Sequence, residues 1–154
     1  MKNMAELIAQ QLETMLEQSP DGVIEIQRGA LASQFACVPS QVTYVLATRF
    51  TQERGYLVES KRGGGGYIRV VKLPLDPRNA LPKIIHAIAA DPLTQAQAEG
   101  YIQWLYREHL LTRREAMMLL AAVDRNVLEL PVDLRDTMRS RLLSAMLMAL
   151  MRAN

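Results

Sequence analysis

The pattern of apolar and polar residues changes its period along the first half of the chain. Residues 3–18 carry apolar side chains every three or four positions, which predicts an amphipathic helix that "SPDG" (19–22) ends. "VIEIQ" (23–27) alternates apolar and polar residues, as a half-buried strand does. The other elements predicted in this half are two helices and then two strands, over residues 28–35, 39–50, 56–61 and 67–73.

The second half of the chain has helical periodicity only. It begins with "LPLDPRNALP", where three prolines in ten residues are typical of a linker. Thr94 and Thr112 are predicted helix N-caps, and Glu115 completes a capping box with Thr112. The predicted helices span residues 80–90, 93–110, 112–129 and 132–152. We therefore expect a first domain at 1–73, a linker at 74–79 and a second domain at 80–154.

The order of the first six elements is that of a winged helix-turn-helix, in which two short helices joined by a tight turn precede a two-stranded hairpin. The fold predicted for the whole chain is mainly α, with an α+β N-terminal part. A winged helix-turn-helix DNA-binding domain is followed by an all-α, four-helix domain.

The helix at 39–50 has an apolar face and an opposite face of short polar residues that carries no acid. In a helix-turn-helix this second helix enters the major groove. Gln pairs with adenine through its amide, and Ser, Thr and Tyr hydroxyls bond bases or phosphates. A surface helix without a DNA role is the alternative. The predicted major-groove residues are Ser40, Gln41, Thr43, Tyr44 and Thr48.

Charge is unevenly distributed, although the net charge of the chain is only +2. Residues 28–73 hold seven Lys or Arg and two Glu, whereas residues 1–27 hold one Lys and five acids. Local clusters of positive charge attract a polyanion more than the overall balance suggests. The residues predicted to contact the DNA backbone are Arg28, Arg49, Lys61 and Arg69.

Four consecutive glycines, Gly63, Gly64, Gly65 and Gly66, join the two strands of the hairpin. Without side chains, the tip of such a wing can lie close to sugars and phosphates and present backbone N–H groups to them. Arg62, just before the glycines, is predicted to enter the minor groove, where negative potential is focused. A nucleotide phosphate loop is disfavoured, because such a loop leads into a helix and here a strand follows.

No catalytic or metal-binding pattern is visible in the sequence. His86 and His109 are isolated from acids at any catalytic spacing, and Cys37 is the single cysteine. We predict that the protein is not an enzyme and uses neither a metal nor a cofactor. The lone thiol, the acidic residues in the N-terminal helix and the lack of an apolar run of about 20 residues predict a cytoplasmic protein without membrane contacts.

The last predicted helix is apolar around most of its circumference, and such a helix needs cover on several sides. A core within one chain is one explanation, and a membrane surface is a weak one because Arg139, Arg141 and Arg152 form only a thin basic face. A partner subunit is the cover that we predict, giving a homodimer. The predicted interface residues are Leu143, Met146, Leu147, Leu150 and Met151.

Residues 37–70 resemble the CtsR family, the class-three stress-gene repressors of Gram-positive bacteria. The similarity lies in "VPSQ", "TRFT", "ERGY" and "VESKRGGGGYI", which occur in this order and at fixed spacing. Beyond this stretch, the second half is similar in helical layout more than in motif.

The resemblance implies a repressor that binds a directly repeated operator as a dimer, upstream of chaperone and Clp protease genes, and releases it on heat shock. It implies that the glycine-rich wing is a thermosensor. It further implies regulation by a protein arginine kinase and its activator, linked to the Clp protease machinery. Phosphorylation of Arg62, or of Arg28 or Arg49, would replace attraction to phosphates with repulsion. The alternative function is a basic protein-interaction adaptor without sequence-specific DNA binding.

Overall fold

A computed structural model describes residues 2–60, 65–74 and 77–153 of the chain. These form two compact units, Met1–Pro74 and Leu75–Asn154. The first unit contains α1 (Met4–Gln18), β1 (Val23–Gln27), α2 (Arg28–Gln34), α3 (Pro39–Arg49), a short 3-10 helix (Gln52–Arg54), β2 (Tyr56–Ser60) and β3 (Tyr67–Lys72). The second contains α4 (Pro77–Ala90), α5 (Gln95–Arg107), α6 (Arg113–Val123) and α7 (Val132–Ala153).

The three strands of the first unit form an antiparallel sheet in the order β1-β3-β2. Ile24 pairs with Val70 and Ile26 with Ile68, so the alternating apolar residues of both strands lie on one face. All four are buried, whereas Arg69 between them is exposed on the opposite face. The period-two pattern of "VIEIQ" therefore sets which face of the sheet meets the helices.

The core of the first unit lies between this sheet and helices α1 to α3. Ile8, Leu12 and Leu16 recur along one side of α1 and are fully or almost fully buried, as helical spacing predicts. Val42 and Val45 of α3 join the same core. Burial of each such side chain stabilises the unit by about 1.5–3 kcal/mol.

Helices α4 to α7 form the second unit around a separate core. Ile88, Ile102 and Leu105 are fully buried there. The predicted N-caps begin α5 and α6, and each forms a capping box, of which only that of Thr112 and Glu115 was predicted: Thr94 accepts from Gln97 N, and Thr112 accepts from Glu115 N at 3.1 Å. Each such cap contributes about 1 kcal/mol.

Several predicted helix boundaries in the second unit differ from the structure, and α5 ends at Arg107 rather than at residue 110. Helix α4 begins at Pro77, three residues before the predicted start. Helix α6 ends at Val123, although the helical prediction continued to residue 129. Asp124 is the reason, because its carboxylate accepts from Asn126 N at 2.7 Å and its carbonyl accepts from the N–H groups of Val127 and Leu128. These local bonds close a turn in place of a further helical turn.

The structure corrects the predicted dimer interface at Leu143 and Leu147. Their exposed fractions are 0% and 1% within a single chain, because both face the helical core of the second unit. They have no surface to offer a second copy. The intramolecular alternative therefore accounts for this side of α7.

Arg139 does not lie on the basic surface predicted for α7. Its side chain is 1% exposed. Its guanidinium donates to the backbone carbonyls of Val123 and Leu93, at 2.7 and 2.9 Å, and to the carboxylate of Asp136. A buried charge with three acceptors ties together three segments of the helical unit. No helix in the described ranges combines the length and apolarity needed to cross a bilayer.

Candidate nucleic-acid interface

The outer face of α3 is polar and free of acids. Ser40, Thr43, Tyr44 and Thr48 are exposed, and Tyr44 is 57% exposed despite its aromatic ring. Gln41 is half-buried. The structure therefore brings the five predicted major-groove residues onto one helix, with four of them fully on the solvent side. Their contacts with bases remain a prediction.

Helix α3 begins without a side-chain cap. Its N-cap is Val38, which makes no capping hydrogen bond, and Pro39 occupies the first helical position. The first turn contains no acidic residue. Pro39 has no N–H and the Gln41 N–H donates to the carbonyl of Val38, so what this helix start offers a phosphate is mainly the positive end of the helix dipole.

The hydroxyl of Thr48 has a defined role in the helix, which limits what it offers to DNA. Its Oγ1 donates to the carbonyl of Tyr44 at 2.8 Å. With its only proton engaged, Thr48 acts as an acceptor and suits a base amino group better than a phosphate.

Ala47 belongs to the same outer face but was missed at the sequence level. It is exposed and lies three and four residues after Tyr44 and Thr43, so all three share one side of the helix. An apolar residue there can contact a thymine methyl group. The helical period places it on this face, but an apolar side chain has no hydrogen-bonding group that would single it out in the sequence.

Arg28 is the first residue of α2 and Arg49 is the last residue of α3, and both are half-buried. Arg28 lines a cavity of about 360 Å³ between α3 and the sheet, together with Thr43, Ala47 and Ser60. Arg28 thus lies beside the outer face of α3 rather than on an unrelated surface. The phosphate contacts predicted for both arginines stay predictions.

The wing begins and ends on strands β2 and β3, which pair from Tyr56–Lys72 to Ser60–Ile68. Gly65 and Gly66, which we name the wing root, have φ of +60° and +88°. This left-handed conformation is accessible to glycine at little cost. The predicted contacts of Lys61, Arg62, Gly63 and Gly64 lie outside the described residues.

Arg69 is less suited to phosphate binding than its charge suggested. It lies in the central strand, opposite Glu25 on one side and Glu59 on the other. Its Nη1 is 3.9 Å from Glu59 Oε2, with both side chains about half exposed. Two neighbouring carboxylates reduce the positive potential that Arg69 presents outward.

In the helical unit, three of the five predicted interface residues retain surface. Leu150 and Met146 line a groove of about 280 Å³ between α6 and α7, together with Met118. Met151 is 36% exposed and Met118 is 68% exposed. An apolar groove beside exposed methionines is a surface that a second subunit can cover.

Comparison with protein families decides the identity of both units. The model of the CtsR N-terminal HTH domain matches residues 3–74, and that of the CtsR C-terminal dimerization domain matches residues 76–148. This chain belongs to the CtsR family.

Members of the CtsR family with curated descriptions match over nearly the whole chain. The transcriptional regulator CtsR of Geobacillus stearothermophilus is 43% identical over 150 residues, covering 97% of this chain and 98% of its own. That of Bacillus subtilis (strain 168) is 42% identical over 148 residues, covering 96% of each chain. A solved structure, CtsR in complex with a 26bp DNA duplex, superimposes with a TM-score of 0.86 at 43% identity, covering 96% of this chain and 98% of that one.

The CtsR assignment confirms the family resemblance and the fold class predicted from sequence. The "VPSQ" to "GGGGYI" stretch lies within the matched N-terminal domain. The match of a C-terminal dimerization domain also covers the half of the chain in which sequence similarity was visible only as helical layout.

Proposed function

We propose that this protein is a transcriptional repressor that binds duplex DNA as a homodimer, with α3 in the major groove and the wing beside it. The observation that carries the proposal is the acid-free outer face of α3, next to a hairpin whose root is joined to α2. Support also comes from a relative, 43% identical, that was crystallised with DNA. Such a repressor acts in the cytoplasm, where bacterial DNA lies.

The test is the affinity for a duplex carrying a direct repeat, compared with a scrambled duplex of equal length and composition. A specific repressor prefers its operator by about 10³-fold or more. We expect Gln41→Ala to reduce operator affinity by about 30-fold or more and to leave scrambled binding unchanged, because the dimer loses two base contacts and each costs about 1–3 kcal/mol. Gln18→Ala, at the exposed end of α1, is the matched control. Equal affinity for both duplexes would favour the adaptor alternative.

Arg49 provides a separate test of the backbone contacts. Each neutralised phosphate contributes about 0.9 to the slope of log affinity against log salt, so a dimer that loses two contacts changes its slope by roughly 2. We expect this change for Arg49→Ala, with sequence preference kept. A slope equal to that of the wild type would exclude Arg49 as a phosphate contact.

We further propose that the operators precede chaperone and Clp protease genes and that heating releases the protein through the glycine-rich wing. Ordering glycine is entropically costly, and this cost grows with temperature. Gly64→Val should therefore raise the temperature at which operator binding is lost. An unchanged release temperature, with binding at low temperature intact, contradicts the thermosensor.

Arginine phosphorylation is the second proposed means of release, with a protein arginine kinase, its activator and the Clp machinery as partners. A phosphate on Arg62, Arg28 or Arg49 replaces a cation with a group of net negative charge. Lysine keeps the cation but cannot become phosphoarginine. We expect Arg62→Lys to bind the operator and to resist release by the kinase, with Arg28→Lys and Arg49→Lys as parallel variants. Release equal to wild type in all three excludes these sites.

A further inference from the structure

The side chain of Gln27 joins the wing root to the start of α2. Gln27 ends β1 and is the N-cap of α2. Its Oε1 accepts from the backbone N–H of Ala30, and its Nε2 donates to the carbonyl of Gly65 at 2.7 Å. The two bonds also define the orientation of the amide, because a flipped amide would place oxygen against the Gly65 carbonyl.

Gly29 leaves room for this amide, and Gly66 lies at ordinary contact distance from it. A Cβ on Gly29 would lie 3.3 Å from Gln27 Oε1, and a Cβ on Gly66 would lie 3.7 Å from Gln27 Nε2. The backbone adds a parallel bond, from Arg28 N to the carbonyl of Gly66 at 3.0 Å. The wing root is thus held by two hydrogen bonds to consecutive residues.

Capping alone does not account for a glutamine at this position. Ser, Thr, Asp and Asn are the favoured N-cap residues, because their short side chains reach the N–H groups of the first turn. The longer side chain of Gln27 does this and also reaches Gly65, 38 positions along the chain. Its length is needed for the second contact only.

We propose that Gln27 is a positioning residue for DNA binding: it holds the wing root against α2, so that the wing root and α3 meet the duplex as one preformed surface. The proposal rests on the proposed function. Helix α2 packs on α3 through the shared core that contains Leu31, Ala32 and Val42. A wing root attached to α2 is therefore positioned relative to α3, and binding then requires no ordering of it.

Gln27→Ser separates the two roles of the residue. Serine caps the first turn through Oγ but is too short to reach Gly65. In the full-length protein, we expect amide hydrogen exchange at Ala30 to stay slow and exchange at Arg28 to become about 10-fold faster, since one hydrogen bond no longer supports its neighbour. Operator affinity should fall by about 3- to 10-fold. Gln18→Ser, the same change at an exposed α1 position, should alter neither quantity.

Gln27→Asn is a second variant, with a good cap and an amide one methylene shorter, and we expect the same loss of affinity. Wild-type affinity in the two Gln27 variants, or unchanged Arg28 exchange, overturns the positioning role while the repressor function stands. A wild-type protein that does not prefer its operator refutes the proposed function itself, and the positioning role falls with it.

Discussion

Replacing Arg139 with methionine should destabilise the helical unit strongly. Methionine retains most of the aliphatic stem but donates no hydrogen bond, so the carbonyls of Leu93 and Val123 become buried acceptors without partners. Each unsatisfied carbonyl costs about 1–3 kcal/mol, and the exposed part of Asp136 limits the penalty there. The expected loss is about 4 kcal/mol, within the range of about 3–5 kcal/mol for breaking a buried charged pair. It is a large part of the total stability of a typical domain, about 5–15 kcal/mol.

The assay uses the single tryptophan of the chain. Trp104 lies in α5 and is 8% exposed, so its fluorescence reports on the helical unit alone. Urea unfolding is followed at one fixed protein concentration, because dimerisation makes apparent stability depend on concentration. Arg141→Met, on the exposed side of the same helix, should change the unfolding free energy by less than about 0.5 kcal/mol.

Arg139→Lys gives an intermediate case. Its compact ammonium keeps the charge but cannot present the planar set of donors that meets three acceptors, so we expect a loss of about 2 kcal/mol. A loss below about 1 kcal/mol in Arg139→Met would refute the reasoning, since it would mean that the two carbonyls find other partners without cost.

Three further predictions concern other parts of the chain. Ala36 follows α2 and has a φ of +52°. Ala36→Gly should stabilise the protein, because relief of about 1–2 kcal/mol of backbone strain exceeds about 0.5–1 kcal/mol of added entropy in the unfolded chain. Circular dichroism should therefore show a higher Tm for the variant, and a lower Tm would contradict this. The Ser19 hydroxyl, and then the Val23 N–H, hold the pKa of Asp21 below its usual 3.8. Because its pKa is lower in the folded state, ionised Asp21 stabilises the fold above pH 3.8, and this stabilisation is lost as the pH falls through the folded-state pKa. The Tm values of wild type and Asp21→Asn should therefore converge at acid pH, and a difference that stays constant with pH would contradict this. Leu147→Ala should lower the unfolding free energy by about 2–5 kcal/mol, because Leu147 is buried within one chain. Met151→Ala should leave the unfolding free energy nearly unchanged and weaken the dimer, as measured by sedimentation. The reverse pattern would show that Leu147 belongs to the dimer interface.

Local periodicity was sufficient for the small sheet and for the helices around it. Strand β1 begins and ends at the predicted residues, because "VIEIQ" alternates cleanly between "SPDG" and a helix start. Helix α6 was predicted too long because residues 124–129 are compatible with a helix until Asp124 bonds its own neighbours. Helix propensity does not account for these competing hydrogen bonds of Asp124.

The helical unit shows what a single sequence leaves undetermined. Apolar periodicity indicated that α7 needs cover, but the covering element is a tertiary fact, and the unit itself covers Leu143 and Leu147. Arg139 had no sequence signal for burial, since arginine is almost always at the surface and the two carbonyls that it binds, of Val123 and Leu93, are 16 and 46 positions away. The role of Gln27 was hidden for the same reason, because its partner is 38 residues away.

No residue separates β1 from α2: the strand ends at Gln27 and the helix begins at Arg28. Most connections between a strand and a helix contain a few residues that absorb small movements. Because no such residues lie between β1 and α2, we expect a tilt of the sheet to move α2 with it. Substitutions on the exposed face of the sheet should therefore change the affinity for DNA through the position of α2, as well as through any direct contact of Arg69.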